Sequence, residues 1–347
     1  MAAGQRLLLR SVDDYLGPAE SRFFSRGYQR AEYAVHGITV LPAQTGELCV
    51  TASADLSYPA DWSKKKDGVD LRPHLSTVDA LVLGVQLAEV HLARARRLDA
   101  VQRRTTRLRK IVLRAGNEPQ EELTGVPLSA TWLRSEPLAA DAGRALSVYD
   151  CTVGGLRVRC ELEHPAPAGD TETQAVFGSL AEALGEGELR FYGEGFKFRR
   201  HTVEEVRVDT PALSAEAEVR FTAVPGSPAA TEGVEGEHSD CPSLIDCFVV
   251  NLQLAQILMY ELDGLSRANS NTLWMMQTVL EAPEHPVPLP VAGQHALRAA
   301  TELSGKRLLP LRGSTWRSVD LRGEMAGIGM RAAFAHELPA RDTPYLP

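Results

Sequence analysis

Two stretches of this chain, "LSTVDALVLGVQLAE" and "PSLIDCFVVNLQLAQ", read as helices that are hydrophobic nearly all round and are offset by 167 residues. Such a helix has to be enclosed rather than laid on a surface. Aligning them pairs Ser76 with Ser243, Asp79 with Asp246, Val82 with Val249, Gln86 with Gln253, Leu87 with Leu254 and Ala88 with Ala255. Polar matches inside apolar runs are harder to produce by chance than matched leucines, so the chain reads as two copies of one design.

The flanks agree. "AEYAVHGITV" and "ELCVTASADL" alternate like strands before the first helix, and "TRLRKIVLRA", "PLSATWLRS", "ALSVYDCTV" and "LRVRCELE" follow it. In the second copy "ELRFYGEGFKF", "TVEEVRVD" and "AEAEVRFTAV" precede the helix, and "TLWMMQTVLEA", "STWRSVDLR" and "GMRAAFAHEL" follow. The expected fold is α+β, a double hot-dog: two curved antiparallel sheets, each wrapped around one long apolar helix. The first half takes residues 1–165 with an N-terminal extension and the second 166–347, with the seam in the Pro- and Gly-containing segment 163–174. Residues 224–240, "VPGSPAATEGVEGEHSD", have the composition of a mobile lid or of a disordered excursion.

At 347 residues, 44% of them hydrophobic, the chain can bury one large core or two ordinary ones. A net charge of −8 argues against whole-molecule attraction to nucleic acid. A three-leucine run near the start is too short for a signal peptide, and no uninterrupted apolar stretch of membrane-spanning length is evident, so a cytoplasmic protein without membrane insertion is expected. The five cysteines are scattered without a C-x-x-C pair, and no metal or cofactor motif is present. Cys241 and Cys247 flank a helix start, where a thiolate would be stabilised, but no partner base is evident.

The buried polar residues are the candidate chemistry. Asp79 and Gln86, like Asp246 and Gln253, stand two helical turns apart and share a face. An acid in apolar surroundings must be hydrogen-bonded, neutralised or turned to a pocket, where the helix dipole and apolar walls tune it as a general acid or base. The competing reading is a helix cap, since each follows a serine by three residues. Asp246, backed by Asn251, is the stronger catalytic candidate and Asp79 its copy. His74 and His238 lie just upstream of the two helices and His201 follows "GEGFKFRR", all candidates for acid–base or binding roles. Arg94, Arg97, Arg103, Arg104 and Arg107, in a basic run after the first helix, are either a solvated helix end and strand edge or a docking patch for an acidic partner such as an acyl carrier protein, or for coenzyme A phosphates.

The segment "SVDDYLGPAESRFFSRGYQRAEY", with the overall length and the helix "CPSLIDCFVVNLQLAQILMYELDGLSR", resembles the avirulence D (AvrD) family of bacterial proteins tied to synthesis of syringolides, which are acyl-sugar lactones. The resemblance implies an enzyme that joins a β-ketoacyl group, delivered as a thioester on carrier protein or coenzyme A, to a ketopentose such as xylulose. The A-factor-type butyrolactone synthases are similar tandem hot-dogs. The second helix also resembles that of hot-dog dehydratases, with Asp246 after Pro242, but Val250 stands where those enzymes carry Gln or His, which puts dehydration in doubt. A dehydratase, a thioesterase or a non-catalytic acyl-binding protein are the alternatives.

Overall fold

The computed structural model describes residues 6–339 except 43, 63–72, 117, 168, 172, 268–269, 271–272, 291–295 and 312. In the first half come β1 (Arg6–Ser11), α1 (Asp13–Leu16), β2 (Glu32–Val40), β3 (Glu47–Ser57), α2 (Thr77–Arg94), α3 (Ala100–Arg104), β4 (Arg107–Arg114), β5 (Val126–Pro137), β6 (Arg144–Val153) and β7 (Leu156–Pro165). The second half repeats the plan with β8 (Ala175–Phe177), α4 (Leu180–Leu184), β9 (Arg199–Asp209), β10 (Ser214–Ala223), α5 (Leu244–Asp263), β11 (Leu273–Glu281), β12 (Leu297–Leu311), β13 (Ser314–Met325) and β14 (Ile328–Glu337).

Both long helices start on the same device. The Ser76 hydroxyl accepts from the Asp79 amide at 3.2 Å while the Asp79 carboxylate accepts from the Ser76 amide at 2.9 Å, a reciprocal capping box. Ser243 and Asp246 repeat it at 3.2 and 2.8 Å. α5 ends at Gly264, whose left-handed backbone (φ 65°) turns the following amide, that of Leu265, back onto the Tyr260 carbonyl at 2.9 Å. Between these ends nearly every side chain is buried, because α2 packs on β2 to β7 and α5 on β10 to β14. By length and hydropathy α5 would pass for a membrane span, which the sequence reading did not register; here the sheet encloses it.

Among the described residues the strands form one continuous antiparallel sheet of fourteen, in the order β1-β9-β10-β12-β13-β14-β11-β4-β7-β6-β5-β3-β2-β8. The expectation of two separate sheets is therefore corrected. Each half does cover its own helix, but β4 and β11 pair in register, Val112 opposite Val279, and fuse the halves. The order is a palindrome about that seam. At its outer ends the copies exchange strands: β1 pairs with β9 of the second half, and β8 pairs with β2 of the first.

Two local readings change as well. "ELRFYGEGFKF" is not a strand but a pair of 3-10 turns, Gly187–Leu189 and Gly195–Phe198, matching the turns Ala19–Ser21 and Gly27–Arg30. β12, which the sequence did not announce, carries Gly305 (φ 59°) at a register shift and Pro310 near its end, so its alternation is broken. In the segment 224–240, Ala230, Gly233, Val234 and Gly236 are buried.

Candidate functional site

A cavity of about 510 Å³ lies between the halves. His74, Leu75, Ser76 and Thr77, the approach to and first turn of α2, form one part of its wall. Phe248, Leu252, Gln253, Gln256, Met259 and Tyr260 on one face of α5 form another. Trp62, Trp274, Trp316 and Phe334 add aromatic wall, and Arg22, Arg267 and His336 bring charge or titratable nitrogen. His336 is buried at the end of β14 with its ring 6.3 Å from that of Tyr260, and the half-buried His74 stands edge-on to Trp62 at 5.4 Å.

Of the residues singled out from sequence, Gln253 and His74 reach this cavity. Gln253 is the better fixed. Its Oε1 accepts from Arg22 Nη1 at 2.7 Å, and its Nε2 donates to the Phe24 and Val249 carbonyls and faces His201 Nε2 at 3.0 Å. Burial holds His201 down at about 4, so at neutral pH its ring is uncharged and that Nε2 accepts from the amide. His201 thus stands behind the cavity, orienting one of its walls.

Asp79 and Asp246 do not line it. The Asp79 carboxylate, 0% exposed, takes the Ser76 amide, the Tyr33 hydroxyl at 2.8 Å and the Tyr58 hydroxyl. Desolvation raises its pKa, with those hydrogen bonds opposing. Asp246, 4% exposed, receives Arg199 Nη1 at 2.6 Å together with the Ser243 amide and hydroxyl at 2.8 Å each. Both acids, the expected catalytic candidates, are held in caps by buried partners and stand outside this cavity. Asn251 points into the sheet, donating to the Cys247 carbonyl at 2.8 Å and accepting from Thr301 at 2.7 Å. There Gly323 leaves the necessary room: a Cβ would lie 2.5 Å from Asn251 Oδ1. Gln86 accepts from Arg190 at 3.4 Å, and His238 is half-buried near Arg107, its pKa lowered chiefly by desolvation. Burial pushes the Cys241 thiol up to about 12 and the Cys247 thiol higher, against a nucleophilic role for either.

In the basic run Arg94 donates to the Ala183 and Glu182 carbonyls, Arg103 to those of Leu98 and Leu184, and Arg107 to those of Glu284 and Pro283. Arg97 and Arg104 are exposed.

Sequence reasoning missed Arg22, Arg267, Gln256, Tyr260 and His336. For Arg22 a signal existed: "LGPAESRFFSRGY" and "LGEGELRFYGEGF" share Leu-Gly, Glu, Arg-Phe, Gly and an aromatic at an offset of 168, a second repeat beside that of the helices. His336, matched by His164 near the end of β7, lacked any comparable mark.

A family model described as Pseudomonas avirulence D protein (AvrD) matches residues 7–339. The chain belongs to the AvrD family. No curated protein matches this AvrD-family chain. Among solved structures, the Mycobacterium tuberculosis RV0216 protein, described as having a double hotdog fold, matches at TM-score 0.40 and 11% identity over 97% of each chain. A Mycobacterium avium tesB protein matches at 0.39 and 7% identity, over 83% of this chain and 93% of that one. A putative thioesterase from Novosphingobium aromaticivorans matches at 0.35 and 13% identity, over 88% and 96%.

Proposed function

We propose that the AvrD-family chain is an enzyme acting on acyl thioesters, joining a β-ketoacyl group to a ketopentose on the way to an acyl-sugar lactone. The observation that carries this reading is the shape and lining of the interhalf cavity. Its aromatic and aliphatic walls suit an acyl chain, and polar groups gather at defined places instead of lining it throughout. Family membership supports the same substrate class.

The chemistry asks little beyond placement. In the acyl transfer a sugar hydroxyl attacks the thioester carbonyl, a C–O bond forms, the C–S bond breaks, and the hydroxyl proton passes to a base as the thiol leaves. The amide end of α2 at Thr77 is suited to the carbonyl oxygen, where partial positive charge accumulates. His336 and His74 are the cavity's imidazoles, and either can take the proton at a ring nitrogen. Gln253, held on both sides by Arg22 and His201, presents a rigid polar wall to a polyol. Ring-forming condensation then needs removal of the acidic proton between the two carbonyls, which the same imidazoles can serve. If the thioester rides on an acidic carrier protein, the exposed Arg97 and Arg104 are the docking residues of the basic run.

The test is incubation of the purified chain with a β-ketoacyl thioester and xylulose, followed by mass spectrometry. A sugar adduct with thiol release supports the reading. Sugar-independent release of free acid would make the protein a thioesterase, an enoyl product a dehydratase, and absence of any product an acyl-binding protein.

A further inference from the structure

The duplication carries an arginine with it, and the two copies have diverged in what surrounds it. Arg22 and Arg190 hold matched places in the repeated segments 16–28 and 184–196, the arm of each half, and each reaches the matched glutamine of the opposite half's helix, Arg22 to Gln253 at 2.7 Å and Arg190 to Gln86 at 3.4 Å. Three residues further on the same helix face, α2 has Glu89 where α5 has Gln256. Glu89 is 0% exposed and lies 3.5 Å from Arg190 and 3.5 Å from Arg103. Arg190's charge is thus met by a buried carboxylate.

Around Arg22 the balance differs. It is 3% exposed and lines the 510 Å³ cavity. Nη1 is on Gln253 and Nη2 on Asp13, whose own side chain is 45% exposed; the buried Nε has no hydrogen-bond partner among the described residues. Arg267 lines the same cavity, donating to the Ser21 carbonyl at 2.7 Å. Burial lowers the Arg22 pKa to about 10, with Asp13 and Glu20 raising it and Arg267 and Arg26 lowering it, which leaves it charged at neutral pH. The carboxylates in the lining are Glu118 and Glu121, which are exposed, and Glu337, half-exposed. The positive charge is deep and the negative charge shallow. A buried guanidinium with an uncommitted donor beside a second arginine is a receptor for an oxyanion.

We infer that Arg22 and Arg267 form an anion subsite inside the cavity that takes a phosphate group carried by one of the two reactants, and that the neutral Gln256 leaves it free for an anion where Glu89 neutralises its copy. The inference rests on the reading of this cavity as the substrate site. The phosphate belongs either to a phosphorylated ketopentose or to the coenzyme A moiety of the thioester.

Calorimetric titration of the full chain with xylulose 5-phosphate, xylulose, coenzyme A and pantetheine separates these sources. Wild type and Gln256→Met are expected to prefer one phosphorylated ligand over its phosphate-free counterpart by about tenfold or more, and Gln256→Glu and Arg267→Gln to lose that preference. Gln256→Glu is nearly isosteric and installs the carboxylate of the neutralised copy, so a loss there reports charge and not shape. Preference for xylulose 5-phosphate assigns the anion to the acceptor, and preference for coenzyme A to the donor. No preference in wild type, or one that survives both Gln256→Glu and Arg267→Gln, overturns the inference. Phosphate-dependent binding without any sugar adduct in the mass-spectrometric assay leaves the subsite standing and removes the acyl-sugar reading instead.

Discussion

Arg22, carried by the N-terminal arm, donates to Gln253 in the middle of the second half's helix, 231 positions away, at 2.7 Å. Each half therefore supplies an arm that braces the other half's helix, and the paired strand exchange β1–β9 and β2–β8 anchors the arms at the sheet's ends. The two braces are unequal. Gln253 also engages His201, Phe24 and Val249, whereas Gln86 has a single longer contact from Arg190. Gln253→Leu should destabilise by about 2–4 kcal/mol, since it strands a buried guanidinium donor and a histidine nitrogen, and Gln86→Leu by about 1 kcal/mol. Urea unfolding of the two variants checks the order.

Asp246 and Asp79 occupy equivalent caps with different partners. Asp246→Asn uncouples a buried ion pair and leaves Arg199 without its carboxylate, an expected loss of about 3–5 kcal/mol. Asp79→Asn faces two tyrosine hydroxyls and an amide, no cation, and should cost about 1–2 kcal/mol. Since neither lines the cavity, turnover per folded molecule is expected to stay within about threefold of wild type, against the about 100-fold or greater losses typical of a general base. A collapse of turnover in folded Asp79→Asn protein would return that acid to the mechanism.

His201 gives a stability term with a defined pH window. Its folded value is about 4 against an ordinary 6.5, so between these the unfolded chain binds a proton that the folded chain refuses. Its contribution is full above 6.5 and is lost as pH falls toward 4. His201→Gln, which offers Gln253 an amide oxygen in place of the imidazole nitrogen, does not titrate there. The stability gap between wild type and His201→Gln should therefore shrink by about 3 kcal/mol from pH 7 to pH 4, read by denaturant unfolding across that range.

Much of the fold was legible because it is written twice. The capping serines, the acids three residues on and the all-round apolar helices demanded enclosure, and alternating strands supplied it. The seam could not be read so easily. Whether β4 and β11 lie at free edges or pair depends on contacts between distant segments, and neither strand carries a local mark of it. For the site, sequence favoured two acids that the cavity does not include, for a physical reason: a carboxylate in an apolar helix stands out whether it caps or catalyses, and only its partners decide. Arg22 and His336 sit in an arm and at a strand end, where charged and polar residues are ordinary, so their burial against the cavity is visible only in three dimensions.

Three of the chain's four tryptophans, Trp62, Trp274 and Trp316, line the cavity, while Trp132 is buried elsewhere with Arg96 over its ring at 4.5 Å. Filling the cavity with an acyl chain displaces water from three indoles at once, so a long-chain acyl thioester should shift intrinsic emission to the blue and saturably, and Trp132→Phe should leave the response intact. Narrowing the wall tests the same space differently. Leu252 is fully buried yet faces the cavity, so Leu252→Trp can place its added ring in existing void, where an overpacked core would instead lose about 1–3 kcal/mol. The expected result is near-native stability with binding of long acyl chains weakened by about tenfold or more relative to short ones. An equal loss for long and short chains would mean that the acyl group does not run along this face of α5.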